Sequence, residues 1–178
     1  MLAIIGLPCS GKSTIGKRLA KKLRRPFIDL DSAIVLRLGC SIQEFFEQHG
    51  EEKFREVESE TLDEMSRVSD CVLSTGGGTI LKLENRELLQ RRGTVFYLYA
   101  TPQELFPRVG STKKRPLLHV ANPLERLNDL FKARDKLYRE AAHHVIVTRG
   151  KAPGQVVSSI RWHLKMHAET REELCDTV

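Results

Sequence analysis

No apolar run in this chain approaches the ~20 residues needed to cross a bilayer, so a spanning helix is not expected. The apolar start, "MLAIIGLPCSGK", is too short for a secretory signal and lacks a basic leader, which points to a cytoplasmic location. Aromatic residues are scarce, at 6%, and nothing has the pattern of a recognition helix or a base-stacking platform; nucleic acid is not an expected partner. The cysteines, Cys9, Cys40, Cys71 and Cys175, form no CxxC pair and have no histidine at ligand spacing. Free thiols in a reducing compartment are expected, rather than a disulfide framework or a cysteine-built metal site. His143 and His144 open an expected strand, where packing or solvent-facing roles suit them. Internal repeats and low-complexity segments are also missing.

What is present describes one ordinary globular domain. The 178 residues are 40% hydrophobic and 29% charged, enough for a layered core. The net charge of +6 and pI near 9.3 suit phosphate and carboxylate ligands. Short apolar strands alternate with amphipathic helices: strands are expected at 2–6, 26–31, 71–75, 94–100 and 143–148. Helices are expected at 12–24, 51–68, 83–92, from 102, at 124–142 and at 152–167, with "SIQE" at 41–44 spaced as a capping box. Five strands separated by helices imply a three-layer α/β/α fold on a five-stranded parallel sheet. A single domain over 1–168 is expected, with a polar, basic, mobile lid at about 109–123 and a frayed tail at 169–178. A monomer is the expectation from size.

Two glycine-rich loops interrupt this pattern. The first, "GLPCSGKST", fits G-x-x-x-x-G-K-[ST] through Gly6, Gly11, Lys12 and Ser13, followed by Thr14. An apolar strand precedes it and a helix follows, as a phosphate-binding loop requires. Backbone N–H groups there form an anion nest at a helix N-terminus. Lys12 can reach β- and γ-phosphates, and the Ser13 hydroxyl can ligate Mg²⁺. The motif points to nucleotide binding and leaves the reaction open among motors, switches and small kinases. The basic segment at 109–123 favours a small kinase, because such a loop can close over phosphates and exclude water.

The second loop, "VLSTGGGTI", places Gly76, Gly77 and Gly78 at the mouth of the third strand. Three missing side chains suggest that something lies against the backbone there. Upstream, "FIDLDS" sets Asp29 and Asp31 two residues apart at the end of the second strand. Residues i and i+2 share one strand face, so both carboxylates are expected to point into one cleft. One can hold Mg²⁺ through water and the other can accept a proton from an attacking hydroxyl; alternatively, Asp31 caps the next helix. Arg55 has Glu58 at i+3 to hold it, Arg134 lies on the long helix, and Arg115 lies in the basic loop. Each can clamp an anion bidentately or stand as an ordinary surface ion pair.

The motifs "GLPCSGKSTIGKRLA", "FIDLDS", "GEEKFREVE", "LSTGGG", "RPLL" and "ARDKLYREAA", in this order, resemble the shikimate kinases from residue 1 to about 165. The resemblance implies a P-loop fold of the nucleoside-monophosphate-kinase type. It also implies transfer of the ATP γ-phosphoryl, with Mg²⁺, to the 3-hydroxyl of shikimate, on the route to chorismate and the aromatic amino acids. By the same resemblance, Gly6, Pro8, Cys9, Ser10, Gly11, Lys12, Ser13 and Thr14 hold ATP, and Arg108 and Pro153 contact its adenine side. Asp31 is the implied base and acceptor ligand, and Asp29 stands near the Mg²⁺ shell. Arg55 and Arg134 grip the acceptor carboxylate, with Glu58 orienting Arg55. Gly76, Gly77 and Gly78 line the acceptor pocket, the Gly77 N–H aimed at a substrate oxygen, and Arg115 arrives with the lid to neutralise the transferred phosphoryl. Cys9 departs from the family, which usually has a further glycine there. A gluconate or nucleotide kinase, a silent nucleotide-binding module and a nucleic-acid binder are the rival readings.

Overall fold

The computed structural model describes residues 1–109 and 121–175, with side chains through residue 166. Five strands, β1 (Leu2–Ile5), β2 (Phe27–Asp29), β3 (Val72–Ser74), β4 (Thr94–Tyr99) and β5 (His144–Val147), form one sheet in the order β2-β3-β1-β4-β5. Every pairing is parallel. Among the described residues, seven α-helices connect and cover them: α1 (Lys12–Leu23), α2 (Leu30–Leu38), α3 (Ile42–Ser66), α4 (Leu83–Arg92), α5 (Pro102–Leu105), α6 (Pro123–Ala141) and α7 (Pro153–Cys175).

Alternation along each strand feeds two cores. Ala3 and Ile5 of β1, Leu73 of β3, and Val95 and Tyr97 of β4 face one side, where they meet Leu30, Ile34, Phe54, Leu62, Leu89, Leu127 and Tyr138 from α2, α3, α4 and α6. Leu2 and Ile4, Val72, and Phe96 and Leu98 face the other, against Ile15 and Leu19 of α1 and Val156, Val157 and Ile160 of α7. Burial on both faces is why these strands read as continuous apolar runs. The histidines pack: the Val95 N–H donates to His143 Nδ1 at 3.0 Å, and His144 stacks on Phe96.

The register lines up the carboxyl ends of three strands, since Ile4 of β1 and Asp29 of β2 both stand opposite Ser74 of β3. The phosphate-loop candidate, the aspartates and the triple glycine therefore leave the sheet at one edge, where open parallel sheets bind ligands.

Three local outcomes differ from expectation. The second strand ends at Asp29, whose Oδ1 accepts from the Ser32 N–H at 3.3 Å as the N-cap of α2. Asp31 is therefore in the first turn of a helix and not on a strand face, so the shared-face argument fails, as does the idea that Asp31 is the cap. The expected capping box at Ser41 and Glu44 is formed, but its helix continues through to Ser66 with a break at Gly50, at φ 78° and ψ 173°. The backbone of α7 continues to Cys175, past the end expected near 167, because "AETREELC" contains neither glycine nor proline.

Gly50 separates the segment 42–49 from the segment that carries Arg55 and Glu58. A β-carbon there would meet nothing within 4 Å, so the backbone torsion alone demands glycine. Gly50→Ala is expected to lose about 1–2 kcal/mol of stability, read from denaturant unfolding; an unchanged midpoint would contradict a rigid turn.

Candidate active site

The first loop is built to receive an anion. Gly11, at φ 92°, is the N-cap of α1, no side chain caps it, and the first turn holds no acid. The N-terminal N–H groups of the helix and the positive end of its dipole are thus left for a ligand. Gly6, at φ +146°, passes so close to β4 that a β-carbon would stand 2.9 Å from the Leu98 carbonyl oxygen. Lys12 is buried, and its Nζ donates to the carbonyl oxygens of Gly6 at 2.8 Å and Leu7 at 3.0 Å, which draws the ammonium over the loop. Cys9 adopts φ 64° with its side chain buried. A left-handed conformation costs a non-glycine residue roughly 1–2 kcal/mol, so the departure at Cys9 is a strained one, while its N–H stays available.

Beside the loop, the Ser13 hydroxyl donates to Asp29 Oδ2 at 2.7 Å. This joins the end of β2 to the start of α1 with oxygen atoms alone. A cavity of ≈ 420 Å³ beside the loop has Cys9, Ser10, Gly11, Thr14, Arg108 and Pro153 in its lining, together with Thr148 and Lys151. Arg108 and Pro153 are far from the motif in sequence, and the fold brings both to the cavity beside the loop.

The second loop is crowded by side chains. A β-carbon on Gly76 would stand 2.7 Å from Asp31 Oδ1 and 3.1 Å from Glu58 Oε1. One on Gly78 would stand 2.5 Å from both terminal nitrogens of Arg55, and one on Gly77 would stand 3.3 Å from Pro8 Cδ. The glycines were expected to clear space for an acceptor. Their immediate role is different: at Gly76 and Gly78 they let Asp31, Glu58 and Arg55 lie directly on the backbone.

Those side chains are tightly held. Arg55 Nη1 donates to Glu58 Oε2 at 2.5 Å, and its Nε and Nη2 donate to Glu51 Oε1 at 3.2 and 3.0 Å. Glu58, 1% exposed, also accepts from Thr79 Oγ1 at 2.7 Å. Burial works against the Arg55 charge, but Glu58 and then Glu51 outweigh it, and the guanidinium pKa is raised. Arg134, buried on α6, donates from Nη1 to the Gly77 carbonyl oxygen at 3.1 Å, and the Tyr138 hydroxyl donates to the same oxygen at 2.6 Å. Asp31, Arg55 and Arg134 thus surround one short backbone segment, which touches the phosphate loop at Pro8.

Arg115 lies outside the described residues, as does most of the expected lid. Glu51, Thr79, Tyr138, Thr148 and Lys151 were not anticipated. The i,i+4 spacing of Glu51 and Arg55 could have shown the first; the others reach the site only through tertiary contacts.

A phosphate loop after the first strand of a parallel sheet, with a cluster of charged side chains beside it, defines the class: a P-loop kinase acting on a small molecule. The shikimate kinase family model matches residues 8–165. A shikimate kinase of Paracidovorax citrulli is 48% identical over 166 residues, covering 92% of this chain and 91% of the relative. The structure of an Acinetobacter baumannii shikimate kinase in complex with shikimate superposes with a TM-score of 0.89 at 40% identity, covering 93% of each chain. The chain belongs to the shikimate kinase family. A gluconokinase of Sinorhizobium meliloti 1021 shares the fold alone, at TM-score 0.65 and 15% identity, covering 97% of this chain and 95% of its own.

Gly78 has φ −101°, open to any residue, so substitution there tests sterics only. Gly78→Ala is expected to push the Arg55 guanidinium off the loop. The acceptor KM should rise about 10–100-fold, the loss of one charged hydrogen bond, with ATP KM unchanged in steady-state assays. An unchanged acceptor KM would show that Arg55 yields freely.

Proposed function

We propose that this chain is a shikimate kinase that works as a monomer in the cytoplasm: it transfers the γ-phosphoryl of ATP to the 3-hydroxyl of shikimate, giving shikimate 3-phosphate and ADP. The observation that carries the reading is the grouping of Asp31, Arg55 and Arg134 on the Gly76–Gly78 backbone, directly beside the phosphate loop. Two guanidiniums suit the carboxylate of a ring acid through paired hydrogen bonds, and Asp31 suits its hydroxyls. The glycine segment at a shared strand edge supports the reading by letting Asp31 and Arg55 lie close to one another beside the phosphate loop.

Residues of the chain divide the work. Lys12 exchanges its bonds to the Gly6 and Leu7 carbonyls for phosphate oxygens, and the uncapped N–H groups of α1 bind the same anion. The oxygen pair Ser13 and Asp29 suits a hard cation, and among the described residues no cluster of three His, Cys, Asp or Glu could hold a metal alone. That fits Mg²⁺, which prefers one or two protein oxygens completed by water and phosphate; when bound, it neutralises charge on the phosphates. Asp31 orients the acceptor hydroxyl and takes its proton as the new O–P bond forms and ADP leaves. Arg115 serves the transferred group from the segment outside the described residues. Arg108 and Pro153 receive the adenine side in the cavity beside the loop.

The deciding experiment is ADP release with shikimate, quinate, gluconate and nucleoside monophosphates as acceptors. Turnover is expected with shikimate, and a preference for gluconate or a nucleotide would refute the assignment. Asp31→Asn should lower kcat by about 10²–10⁴-fold, the usual worth of a positioned base, with ATP affinity nearly intact by calorimetry. Arg134→Ala should raise the shikimate KM by about 10–100-fold; a KM that stays put would remove Arg134 from the clamp.

A further inference from the structure

Both lone pairs of one carbonyl in the acceptor pocket are occupied. The Gly77 oxygen accepts from Arg134 Nη1 at 3.1 Å and from the Tyr138 hydroxyl at 2.6 Å. The shorter of the two bonds comes from a residue that the mechanism does not use. Tyr138 is fully buried, stacks on Tyr97 with ring centroids 4.9 Å apart, and lies one turn beyond Arg134 on the same face of α6. Tyr97 in turn donates to Asp135 Oδ1 at 2.8 Å, a bond that does not reach the glycine segment.

We propose that Tyr138 is a positioning residue for the acceptor pocket: its hydroxyl fixes the Gly77 carbonyl toward α6, and so sets the peptide planes of the glycine segment and the aim of Arg134. Three adjacent glycines have no side chains to select one backbone conformation, and their freedom has to be removed by outside bonds. Arg134 alone is a poor anchor, because the same guanidinium must also serve the acceptor. With Tyr138 bonded to the carbonyl, Arg134 needs only one N–H for the loop and keeps the rest for a ligand carboxylate. Burial pushes the phenol pKa up, so the group remains a donor at any working pH.

The proposal rests on the shikimate kinase reading for its kinetic consequence and on the free protein for its structural one. Tyr138→Phe keeps the ring and removes the donor. In hydrogen exchange of the unliganded protein, amides of residues 76–81 are expected to exchange about tenfold faster, the loss of one buried hydrogen bond, while those of β1 and α1 hold their rates. In ADP-release assays the shikimate KM should rise about tenfold, with kcat and ATP KM changed little. Tyr97→Phe, whose hydroxyl bonds Asp135 and not the loop, is the control and should leave residues 76–81 as they are. Uniformly faster exchange, an unfolded Tyr138→Phe protein, unchanged exchange and KM, or an equal effect of Tyr97→Phe would each overturn the proposal. Wild type that ignores shikimate would instead sink the substrate assignment and leave the exchange result to decide the role of Tyr138.

Discussion

Glu58 has almost no access to water, and the acceptor side of the cleft is organised around it. A buried carboxylate is tolerated only when its charge and lone pairs are matched. Here Arg55 supplies the charge on one oxygen and the Thr79 hydroxyl fills the other. Because Arg55 is on α3 and Thr79 follows the triple glycine, satisfying this one acid ties the helix to the loop. The loop can accept that arrangement only without side chains at Gly76 and Gly78, where the same acid and its arginine occupy the space. Removing one partner from such a pair leaves an uncompensated buried charge, typically worth 3–5 kcal/mol.

The donor side follows a different principle. There the loop is organised by backbone: an uncapped helix start, a glycine pressed against β4 and a lysine bonded to loop carbonyls. The two halves have separate origins in the chain, and the strand register that places Ile4, Asp29 and Ser74 in one row brings them together. A slip of one residue in β2 would turn Asp29 to the other face of the sheet and break its bond to Ser13.

Much of this was legible in the sequence because its signals are local. The doubly buried strands, the phosphate loop and the capping box at Ser41 each announce themselves within a few residues, and the i+3 spacing of Arg55 and Glu58 reports their pairing. The order of the sheet and the conversion of the glycines from ligand space to side-chain space were not legible, since both depend on partners distant in the chain. Thr79 is 21 residues from Glu58, and Tyr138 is 61 residues from Gly77. Between Asp29 and Asp31, the error came from a competition that spacing does not resolve: either aspartate can cap a helix, and the choice of Asp29 ended the strand two residues early. Cys9 shows the reverse case, a residue type that argues against the left-handed conformation its position imposes.

The contact of Pro8 with Gly77 has a consequence for inhibitor design. Where the two loops approach, the Pro8 ring takes up the space beside Gly77, and its torsion is locked near −65°. Its amide has no hydrogen to offer a ligand. Compounds spanning both halves therefore meet a stiff apolar ring at the boundary and gain no backbone hydrogen bond from it.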